Sequence, residues 1–151
     1  MMYRTHFALA LGVALYFLPY IKEPFIFLPT VILSSFLPDI WIILTTINTP
    51  KQVKHATTLS RSGGIFKTYT MCIPITILLA AFYPILALPF FLGYSFNLVL
   101  EAFSTKGITP FWPFKRKLSG KIMPGGRIDH AMFYLFILFD IALLIKFFIQ
   151  R

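Results

Sequence analysis

The sequence predicts an all-α, polytopic integral membrane protein of about five short, proline-interrupted transmembrane helices, and three observations carry that prediction. The chain is 58% hydrophobic and 13% charged, against about 45–50% apolar and about 25% charged in an average soluble domain. Residues 68 to 100 carry no charge at all. The 14 Lys and Arg outnumber 5 Asp and Glu, and most of them gather in two stretches. So large an apolar excess, with mean hydropathy +0.78, cannot be buried inside a ball of 151 residues. A soluble globular enzyme is thereby excluded. A disordered chain is excluded by the same composition, and a disulfide-stapled secreted domain by the single cysteine, Cys72.

A spanning helix needs about 20 mostly apolar residues. The first candidate is residues 6–21, flanked by Arg4 and Lys22. Only Arg4 precedes it and no small-x-small cleavage site follows, so it is expected as a mature helix rather than a signal peptide. The second is residues 25–47, with Pro29 and the Pro38-Asp39 pair inside it. A polar, basic loop follows over residues 48–67. The uncharged run would make roughly 50 Å of helix at about 1.5 Å per residue, too long for a hydrocarbon core of about 30 Å. It must fold back. Pro84 and Pro89 mark the expected turn and divide it into spans 69–84 and 87–104. A second basic loop covers residues 105–129, and the last span is residues 130–150. The whole chain, 1–151, reads as one membrane domain.

Five spans place Arg4 and both basic loops on one side, which then holds 11 of the 14 basic residues. By the positive-inside rule the N-terminus is expected in the cytoplasm and the C-terminus outside. The loops have two readings. One is topology-setting contact with anionic lipid headgroups. The other is a phosphate site led by Arg61 beside Gly63 and Gly64, or by Lys115, Arg116 and Lys117. No nucleic-acid-binding motif is present.

An ionisable group at membrane depth is costly unless paired or hydrated, which makes it a functional candidate. His6 opens span one. Asp39 lies in the half of span two nearer the basic side. Asn97 and Glu101 are four apart on one helical face. His55 lies in the first basic loop, and Asp129 and His130 open the last span. All seven fall toward one membrane face. His, Asp and Glu side chains with water are what a zinc-type site uses. Each also has a plainer role: His6 and His130 as interfacial helix-end groups, Asp39 as a helix break at Leu37-Pro38-Asp39, His55 as a solvated loop residue, Asn97 and Glu101 as interhelical hydrogen-bonding groups. Asp140 lies deeper in the last span and reads as structural, and Cys72 as a small packing residue.

Several short motifs, in order, resemble one known family. Arg4-Thr5-His6 leads into the first span, and Leu37-Pro38-Asp39-Ile40 lies within the second. His55 and Arg61 stand in the loop between. Gly93-Tyr94 then leads to Asn97 and Glu101, followed by Ser104-Thr105-Lys106-Gly107 and Phe111-Trp112-Pro113-Phe114. Over residues 3 to 114 this is similar to prokaryotic membrane-bound metal-dependent hydrolase-like proteins, inner-membrane proteins distantly similar to zinc-dependent phospholipase C, and closest to archaeal members. The chain departs from the family pattern in three places: Asn97 stands where the family has histidine, Glu101 where it has aspartate, and Trp41 where a second acidic residue is common.

The resemblance implies a divalent metal, zinc by its ligand types, held by His6, Asp39, His55 and Glu101. It also implies a phosphoesterase acting on lipid headgroups at the cytoplasmic leaflet, with Asp39 and Glu101 catalytic and Arg61 holding the phosphate. The lost histidine points to a second possibility, a catalytically degenerate relative serving as a structural or accessory subunit of a membrane complex. A transporter is disfavoured, since no acidic residues line a full path across the bilayer.

Overall fold

The computed structural model describes residues 3–48, 67–105, 107–111, 114 and 117–149. Among them are five α-helices and no strands: α1 Tyr3–Phe17, α2 Pro24–Asn48, α3 Tyr69–Phe82, α4 Pro84–Phe103 and α5 Arg127–Ile149. A 3-10 turn, Leu18–Tyr20, closes α1 around Pro19, so the first helix ends before residue 21. Pro24 and Pro84 occupy the first positions of α2 and α4, where a missing N–H costs nothing and the fixed φ suits a helix.

One boundary differs from expectation. The chain reverses at Tyr83 alone, and α4 starts at Pro84 rather than at residue 87. Pro89 does not break the helix. A single reversal is enough to fold the apolar run back, and Pro89 is held by packing on α2, where the Ser34 hydroxyl donates to its carbonyl at 3.3 Å. Pro29, Pro38 and Pro74 likewise lie inside helices. The last helix starts at Arg127, so Asp129 and His130 stand in its first turn.

Side-chain contacts set the helix directions. α3 and α4 form an antiparallel hairpin, with the Tyr69 hydroxyl 3.1 Å from Ser95 Oγ and Cys72 packed among Phe90, Tyr94 and Leu98. α2 runs parallel to α4, its most extensive partner: Ser34 meets Pro89 near the start of the contact and Asp39 approaches Glu101 near its end. The approach is close because residue 93 is glycine; a Cβ there would overlap the Ser34 hydroxyl and the Val31 carbonyl. α1 is antiparallel to α2 across Val13, Ala14, Phe27 and Val31. It is parallel to α5, Thr5 meeting Asp129 and Gly12 meeting Asp140. The directions therefore alternate along the chain. The starts of α1, α3 and α5 and the end of α4 lie at one end of the bundle, with Asp39 of α2 beside them.

That end is closed by the described residues between Ser104 and Gly126. Ile108 and Leu118 exchange backbone hydrogen bonds at 2.8 Å, Thr105 N donates to Ile122 O, and Tyr69 N at the head of α3 donates to Pro110 O. The described residues of the expected basic loop 105–129 thus form a cap, because their backbone groups find partners on one another and on the ends of α3 and α4.

Among the described residues two helices are long and apolar enough to cross a membrane by length and composition, α4 and α5. α4 is half buried, whereas α5 leaves Leu135, Leu138, Ile141, Ile145 and Phe148 exposed, as a lipid-facing helix would. α1 and α3, of 15 and 14 residues, reach only about 21–23 Å.

Candidate functional site

His6 sits in the first turn of α1 and is buried, its side chain only 1% exposed. Thr5, one residue earlier and about 100° around the helix, faces α5 instead. Asp39 follows Pro38 in α2, and Glu101 lies in the last turn of α4; both are buried. The parallel packing of α2 on α4 and the position of α1 across them bring these three together. One ligand atom from each lies within 4.8 Å of the others, and His6 Nε2 is 3.9 Å from Glu101 Oε1. Asn97, one turn before Glu101, is buried on the same face.

A fourth ionisable group among the described residues joins the cluster. The Lys67 ammonium enters from the end of the bundle, two residues before α3. Its Nζ is 2.6 Å from Asp39 Oδ1 and 3.0 Å from Glu101 Oε2. Burial pulls the lysine pKa down, but the Glu101 and Asp39 carboxylates outweigh it and hold the ammonium above the ordinary 10.5. Two carboxylates against one ammonium leave the cluster one negative charge in excess when His6 is neutral. Neither ring nitrogen of His6 has a hydrogen-bond partner among the described residues, and neither amide atom of Asn97 does. Buried polar atoms of this kind are ordinarily hydrogen-bonded to protein or water, so unpartnered ones are uncommon.

Of the expected site residues, His6, Asp39 and Glu101 converge, with Asn97 adjacent. His55 and Arg61 lie outside the described residues, as do Lys115 and Arg116. Asp129 is not in the cluster. Its Oδ1 accepts from the Thr5 hydroxyl at 2.7 Å and its Oδ2 from Gly125 N at 2.9 Å, so it ties α1 to the head of α5. His130 is exposed, its Nδ1 3.1 Å from the Gly126 carbonyl, in keeping with a helix-end role. Asp140 is buried against Gly12, away from the cluster.

Lys67 is the residue that sequence reasoning missed, having been counted as one more topology-setting cation. A signal for it exists: it is the last charge before 33 uncharged residues, positions 68 to 100. Its butylammonium stem is long enough to reach inward from that boundary.

A protein-family model described as YdjM inner membrane protein matches residues 1–149. No curated protein and no solved structure matches the chain.

Proposed function

The chain belongs to the YdjM inner membrane protein family, and from that premise we propose that it is a membrane-embedded, metal-dependent hydrolase acting on phosphoesters of lipid headgroups at the cytoplasmic leaflet. The convergence of His6, Asp39 and Glu101 within 4.8 Å carries this reading. In it, residues 1–151 form one membrane domain whose five helices all cross the bilayer, N-terminus in the cytoplasm and C-terminus outside. The alternating helix directions support that topology, as does the sequence order, in which 11 of the 14 basic residues fall at the start of α1, between α2 and α3, or from the end of α4 to the first residue of α5. The cluster then lies at the cytoplasmic face, within reach of anionic headgroups.

The donor set fits a divalent ion such as zinc: an imidazole with no hydrogen-bond partner among the described residues, and two carboxylates. His6, Asp39 and Glu101 would hold the ion, with His55 as a fourth ligand. The ion would supply Lewis-acid activation of water near neutral pH. Around it, the chain's own groups have distinct tasks. Asp39 and Glu101 would compensate positive charge, with Glu101 Oε1 facing His6 Nε2 at 3.9 Å. Arg61 would meet the phosphate with its planar fork of donors. The apolar faces of α1, α2 and α4 exclude bulk water from the cluster.

The test is metal content of detergent-purified protein. Wild type is expected to hold about one equivalent of divalent ion, and His6→Ala and Asp39→Ala to lose it. Wild type that stays metal-free after reloading with excess zinc would refute the proposal.

The Lys67 ammonium between the two carboxylates favours a second reading. In that case the cluster is a closed ion network in a non-catalytic relative, serving as a structural or accessory subunit of a membrane complex. A metal-free wild type that co-purifies stoichiometrically with another membrane protein would decide for it.

A further inference from the structure

We propose that Lys67 is a built-in competitor for the divalent ion, so that the ammonium and the ion draw on the same two carboxylates and exclude one another. The inference rests on the metal reading above and adds a control to that site. Lys67 Nζ lies 2.6 Å from Asp39 Oδ1 and 3.0 Å from Glu101 Oε2, and these carboxylates are two of the three converging ligands. A divalent ion bonds such oxygens at about 2.0–2.2 Å. An ammonium left on the same two groups would then stand within a few ångströms of it, in a buried place.

Charge counting decides between the occupants. With His6 neutral, two carboxylates and the ammonium sum to −1. With the divalent ion in place of the ammonium they sum to zero, and with both present they sum to +1. A buried cluster is penalised for any uncompensated charge. The ion alone is therefore the best-balanced state, the ammonium alone the next best, and the two together are opposed both by net charge and by direct repulsion. The two single occupants also differ at His6. While the ammonium holds the carboxylates, both imidazole nitrogens are buried with no hydrogen-bond partner among the described residues. A metal ion bonds the imidazole that the ammonium leaves idle. Lys67 is able to yield because it belongs to no helix of the cluster: it reaches in from the chain just before Tyr69, on a stem with four rotatable bonds, and other rotamers carry the ammonium back toward the end of the bundle.

The consequence is an apo state that stays folded without metal, at the cost of weaker ion binding. The experiment is zinc titration of the full chain in detergent, by calorimetry, for wild type, Lys67→Met, Lys67→Gln and Lys67→Arg, with helicity checked by circular dichroism. Removing the charge in Lys67→Met or Lys67→Gln is expected to tighten zinc binding by about tenfold or more, since a hydrogen-bonded charge pair no longer has to be broken. The same variants should unfold at lower temperature without zinc and recover with it. Lys67→Arg keeps the cation and should bind no more tightly than wild type. Zinc binding in both neutral variants that matches or falls below wild type would overturn the competition while leaving the metal site standing. Failure of every form to bind zinc would instead overturn the metal reading, and the competition with it. If Lys67→Met does not fold, Lys67→Gln, which keeps a hydrogen-bond donor, carries the comparison.

Discussion

The buried cluster makes an asymmetric prediction about its own charges in metal-free conditions. Among the described residues Lys67 is the single ammonium serving two carboxylates, at 2.6 and 3.0 Å, and all three side chains are at most 12% exposed. Replacing Lys67 by Met strands both Asp39 and Glu101 without a counter-charge. Breaking a buried pair from one side costs about 3–5 kcal/mol, because the remaining charge is uncompensated. Replacing Glu101 by Gln is far milder. Asp39 keeps its ammonium, and the new amide oxygen still accepts a hydrogen bond, so the loss is only the charge-assisted part of one bond, about 1–2 kcal/mol. The double variant, Lys67→Met with Glu101→Gln, leaves one stranded carboxylate instead of two. It should be less destabilised than the sum of the singles, with a coupling of about 1–3 kcal/mol. Reversible unfolding in detergent, followed by far-ultraviolet circular dichroism with a chelator present, measures all four corners of the cycle. A Glu101→Gln cost equal to or above that of Lys67→Met, or strict additivity in the double variant, would refute the account of a single shared ammonium.

Two further outcomes follow from the same geometry. At Gly93, substitution by Val drives a side chain into the Val31 carbonyl and the Ser34 hydroxyl. A backbone carbonyl can yield only by parting α2 from α4, so a loss of about 1–3 kcal/mol is expected in the same unfolding assay, and a change inside about 0.5 kcal/mol would contradict the close approach. For pH, the Lys67 pKa is raised on folding. Its stabilisation is therefore complete below the ordinary lysine value and is lost as pH rises through the higher folded value. On account of Lys67, unfolding midpoints of metal-free protein should be flat from pH 7 to pH 9 and fall only above about pH 10.5; a Lys67-dependent decline already between pH 7 and pH 9, absent from Lys67→Met, would count against the pairing.

The all-helical class was legible because hydrophobic content and charge-free run length are properties of composition, insensitive to neighbours. Helix starts at Pro24 and Pro84 follow from proline's fixed φ, which acts locally. Pro89 was misleading for the complementary reason. Whether an interior proline breaks a helix depends on what packs against it, and here α4 stays helical through Pro89, where Ser34 of α2 and the close contact at Gly93 pack against it. At the site, His6, Asp39 and Glu101 stood out as ionisable groups in apolar segments. Asp129 stood out equally, yet its oxygens serve Thr5 and Gly125. A linear reading does not reveal which buried carboxylate has been satisfied by a neighbour.

By itself, then, the sequence determined that this protein is helical and apolar, that its cations gather in two stretches, and that a few ionisable groups must be held inside. Those follow from the free energy of placing residue types in an apolar medium, which each residue carries with it. Only the tertiary structure decided which groups meet. Helix direction, the approach permitted at Gly93, and the reach of Lys67 from the head of α3 placed one ammonium between two carboxylates that lie 62 positions apart in the chain, Asp39 and Glu101. Electrostatic pairing falls off with distance in space, and distance in space is set by how the helices pack.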